Sequence, residues 1–341
     1  MILLKKYDIV SFWQTLTFAR ITNAFKIITS YYLTRILRRN LHWGNPLSIS
    51  IEPINTCNLS CIECPTGMGI LTRKVGSMHI EKYKLLIDEI HKKTPYLTLY
   101  FQGEPFMNKN IFEFIRYASE KNIYVATSTN GHFFNSENIR KVVNSGLRRL
   151  IISIDGTTQE VYERYRKGGN LDLVLSGIKN LIKYKKENKS KAPLIILQFL
   201  VLRHNENQIE EMKKLARELQ VDKLTFKTAQ IYDNENAEEI VPSTNKFSRY
   251  KKDKSGNYKL KNKLYNHCWR SWQGCVITQE GNLVPCCFDK NANYSFGNVF
   301  ENSFEQIWKS EGLKKFRQSI LQNRKNIDIC TNCTEGTNIW I

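Results

Sequence analysis

Short apolar runs alternate along most of this chain with longer segments whose apolar residues recur every three or four positions. The runs at 47–52, 96–101, 123–128, 149–154, 194–202 and 223–227 are rich in Ile, Leu, Val, Phe, Tyr and Thr and predict six β-strands. Between them, 80–92, 110–120, 136–145, 171–187 and 208–219 have amphipathic helical spacing. Strand followed by helix, repeated, predicts a parallel sheet, because strands running the same way need a crossover between them. The expected fold is α/β, a partial (β/α)6 TIM barrel whose binding site lies at the C-terminal ends of the strands.

The flanks read differently. In residues 1–46, Ile21, Ala24, Phe25, Ile28, Tyr31, Tyr32 and Ile36 fall on one face of a predicted N-terminal amphipathic helix. Lys26, Arg35, Arg38 and Arg39 lie off that face or at its end. Two readings stay open: the apolar face packs on the barrel, or it docks on a membrane as a peripheral contact. No charge-free run approaches the ~18 residues that crossing a bilayer requires. After the barrel (47–230), residues 231–263 read as a basic linker, with charge concentrated at 246–263. Residues 264–341 form a small α+β domain in which Trp308, Phe316 and Ile320 recur at helical spacing.

Charge adds a constraint on partners. Lys+Arg minus Asp+Glu is 51 − 32 = +19, which favours anionic partners or reflects a lysine-rich solvated surface. Residues 1–46 carry Lys5, Lys6, Arg20, Lys26, Arg35, Arg38 and Arg39 against Asp8 alone. No nucleic-acid-binding motif accompanies the charge, so nucleic acid is not the expected partner. No signal-peptide cleavage pattern follows the first segment, and the cysteine spacings suit metal binding in a reducing compartment. The expected location is cytoplasmic, at most peripheral at the inner face of the membrane.

The chemistry is concentrated in cysteine. Cys57, Cys61 and Cys64 lie directly after the first strand, in the first loop at the barrel mouth. A four-iron cluster held by four thiolates has no iron left for a substrate, whereas three ligands leave one open. Structural zinc prefers four ligands in two pairs, and no fourth cysteine or histidine lies near this triplet. The spacing C-x3-C-x2-C resembles that of the radical S-adenosylmethionine (SAM) superfamily. The resemblance implies a 4Fe–4S cluster whose open iron chelates SAM, reductive cleavage of SAM, hydrogen abstraction by the resulting 5'-deoxyadenosyl radical, and an electron donor such as flavodoxin or ferredoxin.

Later loops fit the same resemblance. Phe101-Gln102-Gly103-Glu104-Pro105 resembles the superfamily's Gly-Gly-Glu-Pro with Gln102 in place of the first glycine, and implies that Gly103 and Glu104 meet the SAM amino group. Ser128-Thr129-Asn130-Gly131 and Ser153-Ile154-Asp155-Gly156 close the third and fourth strands. The resemblance gives Thr129, Asn130 and Ser153 to SAM, although Asn-Gly and Asp-Gly are also turn dipeptides. Arg166 either reaches the SAM carboxylate or is an exposed helix-end arginine.

Cys268, Cys286, Cys330 and Cys333, with Gly281 between the first two, resemble the start of a SPASM auxiliary-cluster module in its shortened "twitch" form. This implies one auxiliary 4Fe–4S cluster held by those four. Cys287 is the alternative to Cys286, Cys275 reads as core in a hairpin turning at Glu280-Gly281-Asn282, and a four-cysteine zinc ribbon is the alternative for the whole set. A closed auxiliary cluster suits electron relay, so the expected activity is a net oxidation by a radical SAM oxidoreductase. Glu52, Gln198 and Lys227 are expected near the substrate; the catalytic base is not identified. A small alcohol, sugar or lipid-linked metabolite is the preferred substrate, and a peptide-modifying maturase is the alternative. In a different class stands a non-catalytic iron–sulfur or zinc protein that binds nucleic acid or membrane.

Overall fold

The structure is a computed structural model describing residues 6–232 and 237–336. Lys5, the side chain of Lys6, and the parts of the linker and C-terminal segment at 233–236 and 337–341 lie outside the described residues. Six strands run parallel in chain order: β1 (Ser48–Ile51), β2 (Tyr96–Thr98), β3 (Tyr124–Thr129), β4 (Arg149–Ser153), β5 (Leu194–Val201) and β6 (Lys223–Thr228). The crossover helices are Ile80–Ile90, Ile111–Glu120, Ser136–Asn144, Leu171–Glu187 and Ile209–Glu218, with a short further helix, Gln159–Tyr165. Side-chain caps start several of them; Asn135, Thr158 and Asn170 each accept the backbone N–H three residues on. Ile49, Leu97, Val125, Leu150 and Leu197 are fully buried beneath these helices, each contributing on the order of 1.5–3 kcal/mol.

The segment expected to be a linker contains a hairpin, β7 (Tyr250–Lys252) with β8 (Tyr258–Leu260). Tyr250 is buried and its hydroxyl bonds to Asn332 at 2.7 Å. The chain then re-enters the barrel. Strand β9 (Gly274–Ile277) pairs parallel with β1, and β10 (Leu283–Val284) pairs antiparallel with β9. The sheet thus has eight strands in the order β10-β9-β1-β2-β3-β4-β5-β6, where the hydrophobic pattern predicts six. The β9–β10 hairpin turns where expected, with Gly281 at φ 94, but its apolar residues pack on the barrel core. At Gly274 a Cβ atom would lie 2.4 Å from the Ser48 carbonyl oxygen, so the close approach of β9 to β1 requires glycine.

The N-terminal extension meets its expectation only in part, since Ala24, Ile28 and Tyr31 of the predicted face pack on the domain and Ile21, Phe25, Tyr32 and Ile36 do not. It forms two helices, Lys6–Trp13 and Phe18–Leu37, and the second turns a mixed face inward, with Ile27 and Tyr31 packed on Leu47, Trp269 and Trp272. Arg20, Asn23, Ser30 and Thr34 are buried, while Ile21, Phe25, Tyr32 and Ile36 are exposed; of the predicted apolar face only Tyr31 is fully buried. The reason is what lies beneath. The helix crosses the N-terminal end of the sheet, where the helices Ile80–Ile90 and Ile111–Glu120 end with unpaired carbonyls. Arg20 donates to the carbonyls of His91 at 2.6 Å, Lys121 at 3.2 Å and Asn122 at 2.5 Å, placing a cation at two helix C-termini. Asn23 bonds both ways with Asn45 at 2.8 Å, and Asp8 pairs with Arg149 at 2.6 Å. No helix among the described residues is long and apolar enough to cross a membrane.

Candidate functional site

The loop after β1 carries Cys57, Cys61 and Cys64 to the C-terminal end of the sheet, all three as free thiols. Ser60 N–H donates to Lys167 O at 3.1 Å and Ile62 N–H to Tyr165 O at 3.2 Å, anchoring the loop across the barrel mouth. Glu63 turns the chain at φ 58, and Gly67 lies so close to Cys61 that a Cβ would sit 2.5 Å from its carbonyl oxygen. Burial pushes the Cys61 thiol up to about 12, opposed by the Arg166 guanidinium and reinforced by the neighbouring Cys64 and Cys57. Burial also raises Cys57. These thiols therefore hold their protons until something cationic displaces them, and loading a metal cluster releases protons.

The other predicted residues surround this loop. At Gly103 (φ 73) a Cβ would meet the Ile54 and Thr56 carbonyl oxygens at 2.6 Å, so the close backbone approach expected for a ligand is already made to the cysteine loop. Glu104 is buried; its carboxylate accepts from the Thr129 hydroxyl at 2.8 Å, Asn130 N–H at 2.8 Å and Phe106 N–H at 3.1 Å. Burial outweighs these bonds and raises the Glu104 carboxyl to about 7, leaving it short of one positive neighbour. Thr129 thus supports Glu104 and does not face outward. Asn130 Nδ2 donates to Asn58 Oδ1 at 2.8 Å and to Cys57 Sγ at 3.8 Å. Ser153 is buried at the end of β4, opposite Gln198. Arg166 is not an exposed helix end: its Nε donates to Asp155 Oδ2 at 2.7 Å, and its side chain is only 15% exposed. Although burial opposes its charge, Asp155 holds it cationic beside the cysteine loop.

Glu52 does not face a substrate. Its carboxylate takes both Arg73 terminal nitrogens at 2.7 Å, Gln279 N–H at 3.0 Å and Gln102 N–H at 3.3 Å, and is fully buried. Gln198 is half-buried and Lys227 exposed on their strands.

The second cysteine group converges on one small cavity lined by Cys268, Cys286, Cys330 and Cys333. Cys287 does not line it, and Cys275 is buried in β9 against the barrel core. Arg324 Nη2 donates to Cys333 Sγ at 3.3 Å, as does Glu335 N–H at 3.3 Å. Burial pushes Cys333 up to about 12, while Glu335 N–H and the Arg324 charge oppose it. Among the described residues, no three Cys, His, Asp or Glu side chains converge on a single-ion site.

Comparison with known proteins gives this arrangement its family. The sequence profile of the Radical SAM superfamily matches residues 51–218, and that of the SPASM iron–sulfur cluster-binding domain matches 268–334. The chain belongs to the radical SAM superfamily. The mycofactocin maturase of Mycobacterium ulcerans is 24% identical over 311 residues, covering 84% of this chain and 80% of that one. Among solved structures, BtrN in complex with AdoMet and 2-DOIA aligns with a TM-score of 0.56 at 18% identity, covering 87% of this chain and 96% of that one. SuiB of Streptococcus suis bound to S-adenosylmethionine aligns with a TM-score of 0.63 at 15% identity, covering 86% and 73%. These two likenesses establish the partial-barrel fold.

A radical SAM protein with a SPASM domain takes a 4Fe–4S cluster with SAM, and an auxiliary iron–sulfur centre in its C-terminal domain. The donor sets fit: three thiols in one mouth loop, four around one cavity, and a cation near each. Sequence reasoning missed Asp155, which holds Arg166, and Arg73, which neutralises Glu52. It also missed Arg324 at the second thiol group. Asp155 sat in a quoted turn dipeptide; the two arginines had no motif to mark them.

Proposed function

We propose that this radical SAM enzyme oxidises its substrate by two electrons: a hydrogen atom leaves to the SAM-derived fragment, an electron to the C-terminal centre and a proton to solvent. Cys57, Cys61 and Cys64 hold the radical-generating cluster; Cys268, Cys286, Cys330 and Cys333 hold one auxiliary 4Fe–4S cluster. When bound, the first cluster and SAM supply a hydrogen-abstracting 5'-deoxyadenosyl radical. The chain's own contribution is placement. Glu104 offers a buried carboxylate to the SAM ammonium, Arg166 a fixed guanidinium to its carboxylate, and Asn130 and Ser153 polar groups beside the ribose. Gly103 brings the Glu104 loop against the cysteine loop, and Thr129 orients the Glu104 carboxylate. The observation that carries the reading is the pairing of an open three-thiol loop with a closed four-thiol cavity, since a fully ligated cluster can pass electrons but offers no iron to a substrate.

A small alcohol or sugar, free, phosphorylated or lipid-linked, is the favoured substrate class. Peptide modification is the second reading, favoured by the likeness to a maturase. Anaerobic turnover of candidate alcohols and of peptides that co-purify with the protein tests both. The expected result is a product lighter by two hydrogens, formed one-for-one with 5'-deoxyadenosine; a redox-neutral product, or SAM recovered unchanged, would end the oxidation reading.

The N-terminal extension is proposed to dock on an anionic bilayer. It exposes Phe18 (83%), Phe25 (71%), Ile36 (74%) and Trp13 (65%), beside exposed Lys26, Arg35, Arg38 and Arg39. Asp8, the one acid in residues 1–46, is buried against Arg149, so the described outer face of this segment carries apolar and cationic groups with no acid to repel the surface. Phe18→Ser/Phe25→Ser/Ile36→Ser should cut flotation with anionic vesicles at least fivefold and leave the fold intact, since all three side chains point to solvent. Equal flotation of both forms would dispose of the proposal.

A further inference from the structure

The N-terminal extension and the C-terminal helices Phe304–Trp308 and Glu311–Asn323 border a cleft of about 490 Å³, which includes residues 42–44 ahead of β1, whereas the cysteine loop follows that strand. That volume lies in the range of small-ligand pockets. Its ionisable lining is Lys26, His42, Lys309, Lys314 and Arg317, without a carboxylate, and Trp43 and Trp308 supply its apolar walls. Lys309 and Lys314 also reach Glu305 at 2.5 Å and Glu311 at 2.6 Å, but exposed pairs of this kind are weak and readily exchanged.

Arg317 distinguishes the cleft from an ordinary basic surface. It is 1% exposed, lies 4.3 Å from the centre of the Trp308 ring, and donates Nε to Ser271 O at 3.2 Å. Its Nη2 is buried with no hydrogen-bond partner among the described residues, a costly state for a charged group. Burial lowers Arg317 to about 9, so it remains a cation at neutral pH, and burial with that charge beside it keeps His42 neutral.

We propose that this cleft binds a phosphate group, with the apolar or aromatic body of the ligand lying against Trp43. An unpartnered guanidinium nitrogen and three lysine ammoniums suit a multivalent oxyanion better than a single carboxylate. The phosphate comes either from a soluble phosphorylated metabolite or from a phospholipid headgroup. The second source is geometrically open because Lys26 is beside exposed Phe25 on the helix Phe18–Leu37.

Calorimetric titration of the reconstituted protein with inorganic pyrophosphate, at fixed ionic strength against chloride, tests the site without any turnover. Saturable binding is expected, weakened at least tenfold in Lys309→Ala/Lys314→Ala, whose side chains are exposed, and in Arg317→Lys. Vesicles containing phosphatidate provide the second arm. Flotation lost in Lys309→Ala/Lys314→Ala and competed by pyrophosphate assigns the site to a lipid phosphate. Pyrophosphate binding with flotation unchanged by that variant assigns it to a soluble ligand. Absence of saturable pyrophosphate binding together with variant-independent flotation overturns the proposal, as does binding equal in wild type and variants.

Discussion

Replacing Cys57, Cys61 and Cys64 together by alanine is expected to abolish 5'-deoxyadenosine formation by the reconstituted, dithionite-reduced protein, a loss of at least ~10³-fold, or about 4 kcal/mol in barrier. Iron should fall from roughly eight to roughly four per chain, the content of one remaining four-iron cluster. The fold should survive, because the backbone bonds that anchor the loop, from Ser60 and Ile62 to Lys167 and Tyr165, do not involve the thiols and remain in place. Cys268→Ala provides the complementary result: a similar loss of iron with SAM cleavage retained. Cys286→Ala should behave like Cys268→Ala and Cys287→Ala like wild type, because Cys286 lines the four-thiol cavity and Cys287 does not. Cleavage persisting in the triple variant, with its iron unchanged, would remove the assignment of the mouth loop.

Much of this was legible in the sequence because it is local. A β-strand or a helix declares itself through a period of two or 3.6 residues, and all six predicted strands and five helices lie within a few residues of their observed positions. The cysteine triplet was legible for the same reason: three ligands in one loop need no tertiary structure to be recognised. What escaped depends on pairing across long separations. β9 joins β1 over more than two hundred positions, and nothing in Gly274–Ile277 marks its neighbour. The N-terminal helix packs only part of its predicted face, for a physical reason. Amphipathic spacing predicts that the apolar face turns inward, but here the surface beneath offers carbonyls, and carbonyls require the donors of Arg20 and Asn23. Burial of Arg20 and Asn23 followed hydrogen-bond demand, while Ile27 and Tyr31 packed on Leu47, Trp269 and Trp272, and only Ile21, Phe25, Tyr32 and Ile36 were left outside.

Arg73→Ala is expected to destabilise the protein by about 3–5 kcal/mol, the cost of leaving a buried carboxylate without its cation. The argument rests on what Glu52 joins. It follows β1, and its four donors come from the loop at Arg73, the loop after β2 at Gln102, and the end of β9 at Gln279. One carboxylate therefore ties the cysteine-bearing loop to both neighbouring strands and to the returning C-terminal segment. Removing the guanidinium leaves Glu52 two neutral N–H donors in a site with no solvent access. Arg73→Lys keeps the charge but cannot make the bidentate contact, so an intermediate loss is expected. Glu52→Gln/Arg73→Met removes both charges and should recover much of the stability, as replacement of a buried pair by neutral groups commonly does. Denaturant titration of the four forms reads this directly. A loss under 1 kcal/mol for Arg73→Ala would show that water or local rearrangement neutralises Glu52. A double variant no better than Arg73→Ala would show that packing around Arg73, including its contact with the Phe101 ring at 5.6 Å, outweighs the charge.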